Sequence, residues 1–384
     1  MTMRKILLLS VSAGAGHVRA AEAIEAEAAK HPEIEVIHLD AMDYVPAAFR
    51  KLYTDFYLHL VNNFSAAWGY VYDSSNTMPR HSKRQRLRRA IEHLNTHKLR
   101  AAIRQHAPDA IVCTHFLPAE MLSRESLKTT LDCPVWVQVT DFDLHSMWLQ
   151  PGMAGYFAAN DEVAWRLSQR GIPTAGVHVT GIPIMPVFST PPQRDECAAE
   201  IGLDAAKPTL LFMSGGAGVG DLTSLVSSVL DATGETQIIA LAGRNEEMLR
   251  RLKALAEQHP GRLYPRGFTR QVERLMVCAD IVVTKPGGLT TSECLALGRP
   301  MIVHSPIPGQ EEHNADFLLE QGAALKAVDE AGLIYRLQRL LSSSAELEAL
   351  RQRARSLGQP QAAAQVLQQV LSGSAHPAAV ADLK

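Results

Sequence analysis

Two kinds of loop in this sequence place residues fit for chemistry beside glycine turns. Near the C-terminal end, the β-branched run Ile281-Val282-Val283-Thr284 stops at Lys285-Pro286-Gly287-Gly288. Thr290, Thr291 and Ser292 follow, then the helical spacing of Leu295 and Leu297. A strand, a glycine turn and a helix N-terminus leave backbone N–H groups facing outward, the arrangement that binds an anion such as phosphate. Glu293 falls in the first turn or so of that helix, close enough to hold a ribose hydroxyl. A second apolar strand, Pro300 to Val303, then delivers Pro308-Gly309-Gln310-Glu311-Glu312-His313-Asn314 to the same sheet edge. Loops of this chemistry spaced by one helix suggest a nucleotide-sugar pocket. The plain alternative is an ordinary βαβ unit with a glycine turn.

The other kind of loop carries a histidine. Ile6 to Val11 reads as a buried strand, Ser12-Ala13-Gly14-Ala15-Gly16-His17 turns the chain, and a helix is expected from about Val18 to Lys30. The glycines do not fit G-x-G-x-x-G, because position 19 is Arg, and this argues against a dinucleotide. His17 sits at the carboxyl end of a parallel strand, where an imidazole can serve as a general base or simply satisfy the turn. Asp141-x-Asp143 could be read as a pair that holds a divalent metal, but a strand-end turn is the better account of two carboxylates alone. Three residues apart, His145 and Trp148 pair a polar group with a large apolar plane that could orient an acceptor. Strand Thr209 to Met213 feeds Ser214-Gly215-Gly216-Ala217-Gly218, another phosphate-type loop. Arg244, after strand Ile238 to Ala242, could pair with a phosphate or cap the next helix.

The elements that must position these residues follow from length and composition. At 384 residues the chain is too long for one core, and 46% hydrophobic with 20% charged residues is the balance of a soluble α/β enzyme. A net charge of -2 gives no reason to expect nucleic acid over the whole surface. The five scattered cysteines lack a C-x-x-C pair and read as reduced thiols in a cytoplasmic protein. The N-terminal apolar run is a first strand and not a signal peptide, and no run approaches the roughly 20 apolar residues of a membrane span. Gly181 to Pro192 carries four prolines, so residues 183–195 are expected to be an irregular linker. It divides an N-terminal domain, 1–182, from a C-terminal domain, 196–356, with 357–384 a last helix and tail that can pack back on the first domain. Between Tyr44 and Tyr72 lies an aromatic-rich segment, and Arg80 to Arg89 adds six Lys/Arg without an acid. That combination suits either a solvated helix face or contact with anionic lipid headgroups.

With these residues in view, the chain resembles the GT-B glycosyltransferases that include monogalactosyldiacylglycerol synthase and processive diacylglycerol glucosyltransferases, and more distantly the peptidoglycan lipid-intermediate GlcNAc transferase. The likeness rests on Ser12-x-Gly14-x-Gly16-His17-x-x-Ala20-Ala21, Thr140-Asp141 with His145-x-x-Trp148, Ser214-Gly215-Gly216-x-Gly218, Thr284-Lys285-x-Gly287-x-x-Thr290-x-x-Glu293 and Pro308-Gly309-Gln310-Glu311-x-x-Asn314. It departs from the family pattern at Pro286 and Gly288-Leu289. The resemblance implies an α/β GT-B fold with two Rossmann-like domains facing across a cleft. It implies inverting transfer of a hexose from a UDP-sugar to the primary hydroxyl of diacylglycerol, with His17 as base and no metal or other cofactor. Gly16, Ser214, Gly215, Gly216, Gly218, Arg244 and the Gly288, Leu289, Thr290 and Thr291 amides would lie on the UDP side. Phe268 would place the uracil, Glu293 the ribose, and Gln310, Glu311 and Asn314 the sugar hydroxyls. Asp141, His145 and Trp148 would face the acceptor, with the Arg80–Arg89 region on anionic lipid at the inner face of the cell membrane. A prenyl-linked or soluble acceptor, a donor-only epimerase and a catalytically silent UDP-sugar-binding regulator are the alternatives.

Overall fold

The structure is a computed structural model and describes residues 3–12, 14–46, 50, 76, 96–123, 131–214 and 222–373. The Arg80–Arg89 basic run, most of the aromatic-rich segment, and Gly215, Gly216 and Gly218 lie outside the described residues. The chain forms two compact units. One holds the residues through Pro186, Pro308–Gln310 and the segment from Pro360; the other holds Val187–Ile307 and Glu311–Gln359.

The first unit runs β1 (Arg4–Ser10), α1 (Ala15–Ala28), β2 (Ile34–Asp40), α2 (Thr96–His106), β3 (Ala110–Cys113), α3 (Phe116–Met121), β4 (Val135–Gln138), β5 (Gly155–Ala158), α4 (Asp161–Gln169) and β6 (Val177–Val179). Its strands are all parallel, in the order β2-β1-β3-β4-β5-β6. Both faces are covered, which is why the strands are nearly continuous apolar runs. Leu7 and Leu9 of β1 join Leu99 and Ile103 of α2 and Val163 and Leu167 of α4 on one face. Ile6 and Leu8, pointing the other way, join Ala21, Ile24 and Ala28 of α1. The helix start differs from the expectation of Val18. Gly14 is extended (φ -143°, ψ 135°) and acts as the N-cap, so His17 already lies in the first turn.

The second unit runs α5 (Arg194–Ile201), β7 (Thr209–Met213), α6 (Leu222–Ala232), β8 (Gln237–Leu241), α7 (Glu246–Gln258), β9 (Leu263–Arg266), α8 (Val272–Cys278), β10 (Ile281–Thr284), α9 (Gly288–Ala296), β11 (Met301–His304), α10 (Gln310–Glu320), β12 (Ala324–Ala327), α11 (Glu330–Ser342) and α12 (Ser344–Leu357). The parallel order is β12-β11-β10-β7-β8-β9. Its core sets Leu210, Phe212, Ile281 and Val283 against Val226 and Val229 of α6 and Leu333 and Leu337 of α11. The expected irregular linker is shorter than its prolines suggest, because Pro186–Phe188 makes a 3-10 turn and α5 starts at Arg194. The edge strand β12, Ala-Leu-Lys-Ala, has weak β propensity and is held by pairing with β11 and by packing of Leu325 and Ala327 against the core. The last helix, α13 (Ala362–Ser372), returns to the first unit, where Val366, Leu367 and Val370 pack beside Ile6, Leu8 and Trp136.

Candidate active site

Each sheet reverses its direction of growth once. In the first, the chain steps outward from β1 to β2 and then returns past β1 to add β3, so β1 and β3 flank a topological switch point. In doubly wound sheets the crevice at the carboxyl ends of such a pair is where ligands bind. His17 follows β1, Thr114 and His115 follow β3, and Thr140 and Asp141 follow β4. They meet. His17 Nδ1 lies 3.0 Å from the Thr114 carbonyl and 2.9 Å from Thr140 Oγ1. The Thr114 hydroxyl donates to the backbone carbonyl of His17 at 2.9 Å. A carbonyl only accepts, so Nδ1 carries the proton and Nε2 keeps its lone pair. A Cβ on Gly14 would stand 3.4 Å from His17 Cδ2 and 3.8 Å from Nε2, so a glycine there leaves that edge of the ring uncrowded.

The surroundings of His17 are aromatic. The His115 ring packs edge-on at 4.4 Å, Trp148 lies 6.3 Å from both imidazoles, and Phe116 is 4.1 Å from His115. Burial lowers the His17 pKa to about 4, opposed only in part by the bond to the Thr114 carbonyl. Burial, and secondarily the neighbouring His17, hold His115 well below the usual imidazole range. Both rings are neutral near pH 7. Trp148 is only 2% exposed, so it is a wall behind the imidazoles more than an open platform. His145 is likewise buried and its Nδ1 caps the turn at Met147. Asp141 is buried, whereas Asp143 forms an ion pair with Arg166 at 3.4 Å. Among the described residues no three His, Cys, Asp or Glu side chains gather as metal ligands.

The second sheet reverses between β7 and β10. Ser214 follows β7, buried, with its hydroxyl on the Leu241 carbonyl. After β10, Gly287 caps α9 with no side-chain hydrogen bond. The Thr291 amide already donates to the Gly287 carbonyl at 2.9 Å, which narrows the expected anion donors to Gly288, Leu289 and Thr290. Glu293 is buried one turn on. A crevice at these strand ends is lined by Ser214, Thr284, Lys285 and His304 over Phe212 and Val283. Beside it, Arg244 stacks 4.6 Å above the Phe268 ring, and Phe268 is half exposed at 51%. Asn245, not Arg244, caps α7.

Two residues expected on the sugar have other work in this structure. Asn314 is fully enclosed, and its Nδ2 donates to the Pro286 carbonyl at 3.0 Å. Glu311 accepts the Ile307 amide at 2.7 Å, and its other oxygen would lie 3.8 Å from a Cβ on Gly287. Asn314 thus ties down the loop that opens α9, and Glu311 the loop that opens α10. Gln310, half-buried, starts α10. Thr114, His115 and His304 have no role that the sequence alone assigns, and Lys285 enters there only as part of its motif. Their signal was present, each lying at or just past a strand end, but the strand order that makes those ends adjacent was not.

The two doubly wound units define a GT-B fold. Similar solved structures include Acinetobacter baumannii MurG (TM-score 0.63, 16% identity, 96% of this chain and 99% of that one). A UDP-GlcNAc 2-epimerase from Neisseria meningitidis bound to UDP-GlcNAc is similar too (TM-score 0.61, 13% identity, 96% of this chain and 100% of that one). Identities this low speak to fold alone. Residues 17–184 match the monogalactosyldiacylglycerol (MGDG) synthase family, and residues 209–370 match the glycosyltransferase family 28 C-terminal domain. The chain belongs to the glycosyltransferases built from this pair of domains. Full-length relatives include the processive diacylglycerol beta-glucosyltransferases of Bacillus pumilus (strain SAFR-032), 28% identical over 97% of this chain and 96% of that one, and of Bacillus subtilis (strain 168), 25% identical with the same coverage.

Proposed function

We propose that this protein transfers glucose from UDP-glucose to the primary hydroxyl of 1,2-diacylglycerol, giving a β-linked monoglucosyldiacylglycerol. The observation that carries this reading is the neutral His17, whose Nε2 lone pair is left for substrate because Nδ1 is committed to Thr114. In the reaction, the hydroxyl oxygen attacks the anomeric carbon as the bond from that carbon to the diphosphate breaks. The hydroxyl proton passes to His17 Nε2, and UDP leaves with the bonding pair. Attack opposite the leaving group converts an α-linked donor into a β-linked product.

The free amides of Gly288, Leu289 and Thr290, at the positive end of α9, suit the charge that grows on the departing diphosphate. Lys285 and Ser214 are on the same edge, and no metal is required in this scheme. Phe268, half exposed with Arg244 stacked on its ring, is our candidate for the uracil, and Glu293 our candidate for the ribose. Asp141 belongs to the acceptor side. The relatives' names and the MGDG synthase domain favour diacylglycerol over a prenyl-linked or soluble acceptor. Among the described residues no helix is long and apolar enough to cross a membrane. The lipid would be met peripherally at the inner face of the membrane, with Arg80–Arg89 on anionic headgroups.

His17→Ala tests the reading. Transfer from UDP-glucose to diacylglycerol in vesicles should fall by at least about 100-fold, the range for loss of a general base, while UDP affinity stays within a few-fold. Turnover near the wild-type rate would remove His17 from the chemistry. Product only with a water-soluble acceptor would remove the lipid.

A further inference from the structure

We propose that His115 is a second substrate-facing residue, donating a hydrogen bond from its Nε2–H to the carbonyl oxygen of the ester carried on the carbon next to the acceptor's reacting hydroxyl. This rests on the transferase reading above and concerns the acceptor alone. The Leu117 amide donates to His115 Nδ1 at 3.0 Å, so that nitrogen holds a lone pair and the ring proton is on Nε2. His17 is the reverse, with its proton on Nδ1 against the Thr114 carbonyl at 3.0 Å and its lone pair on Nε2. The rings meet edge to face, 4.4 Å apart at 84°, and share Trp148 as a wall. A hydrogen-bond acceptor and a hydrogen-bond donor therefore stand side by side at one switch point. Among the described residues, neither Nε2 has a hydrogen-bond partner, since the bonds of both rings run through Nδ1.

A lone alcohol needs only the acceptor. The pair suits two oxygens on neighbouring carbons, one bearing a proton and one not. A 1,2-diacylglycerol has this pattern, a primary hydroxyl beside an ester whose carbonyl accepts a hydrogen bond well. Its dialkyl ether counterpart lacks that carbonyl and offers no acceptor at its position. Capping α3 does not by itself explain a histidine, since Asn or Ser would accept the Leu117 amide as well.

Two measurements on the full-length protein test this. First, 15N chemical shifts of labelled imidazoles should show His115 protonated at Nε2 and His17 at Nδ1; the same tautomer at both sites overturns the proposal. Second, kcat/KM is compared for dioleoylglycerol and dioleyl ether glycerol, each in phosphatidylcholine vesicles with UDP-glucose. The wild type should prefer the ester by about tenfold, the worth of one hydrogen bond. His115→Asn keeps a capping oxygen, and its shorter amide does not reach the position of Nε2, so its ester-to-ether ratio should fall to about one. A merely structural role would lower both rates together and leave the ratio unchanged. That outcome, or a wild type without preference, overturns the proposal. A wild type that glycosylates neither lipid defeats the diacylglycerol reading instead, and the tautomers still decide whether the donor–acceptor pair exists.

Discussion

Moving the assay from pH 7 to pH 5 should cost this enzyme almost none of its kcat/KM. With a His17 pKa of about 4, about 90% of the imidazole remains neutral at pH 5; at an ordinary value near 6.5 only about 3% would. The expected loss is thus about a tenth, against about 25-fold for an unperturbed base. Because kcat/KM reports the free enzyme, the shift in the unliganded chain is the relevant one. Initial rates at low diacylglycerol in zwitterionic vesicles, taken at half-unit steps from pH 4 to 8, locate the acid limb. A midpoint at pH 6 to 7 would refute the enclosed, neutral base. Stability moves in the same window with a defined sign. His17 has a lower pKa folded than unfolded, so between about pH 6.5 and 4 the unfolded chain binds a proton that the folded chain does not. The stabilisation is complete above pH 6.5 and declines as pH falls through that window, by about 3 kcal/mol from this group. His115 is shifted in the same direction and adds to the decline. Urea midpoints over the same pH series measure it, with rates read before any acid unfolding.

Three further outcomes follow from packing and charge. Asn314→Ala leaves the buried Pro286 carbonyl without its donor, a loss of about 1–3 kcal/mol, and should raise the KM for UDP-glucose more than it lowers kcat. An unchanged KM would mean the loop before α9 does not depend on this bond. Leu367→Ala on α13 removes a side chain only 3% exposed between α1 and the first sheet and should destabilise that unit by about 2–5 kcal/mol in denaturant unfolding. A change below about 0.5 kcal/mol would show that α13 is not part of that core. Neutralising Arg84, Arg86, Arg88 and Arg89 together should weaken sedimentation with anionic vesicles at low salt and much less at high salt. Identical binding at both salts would detach this run from the lipid.

The sequence by itself determined the pieces of the site. Its apolar runs mark most of the strands, and its glycines mark where backbone amides are left open. His17 stands out because it directly follows such a turn. These are local properties, set by residue type and spacing over ten positions or so. It missed β12, whose Ala-Leu-Lys-Ala has no strand signature of its own, and it misplaced the start of α1 because an extended Gly14 caps a helix that Gly16 would otherwise seem to delay. What only the tertiary structure decided is which strand ends are neighbours. Thr114 and His115 lie 97 and 98 positions beyond His17, and only the return of the chain past β1 brings β3 alongside. That contact sets the tautomer of the base, and burial sets its pKa; neither is a property of His17 alone. The same holds for Asn314, whose amide reads as a sugar ligand in the sequence and is enclosed against Pro286 once β10 and β11 pair. Chemistry at a site depends on desolvation and on partners far along the chain, and those exist only after the sheet has formed.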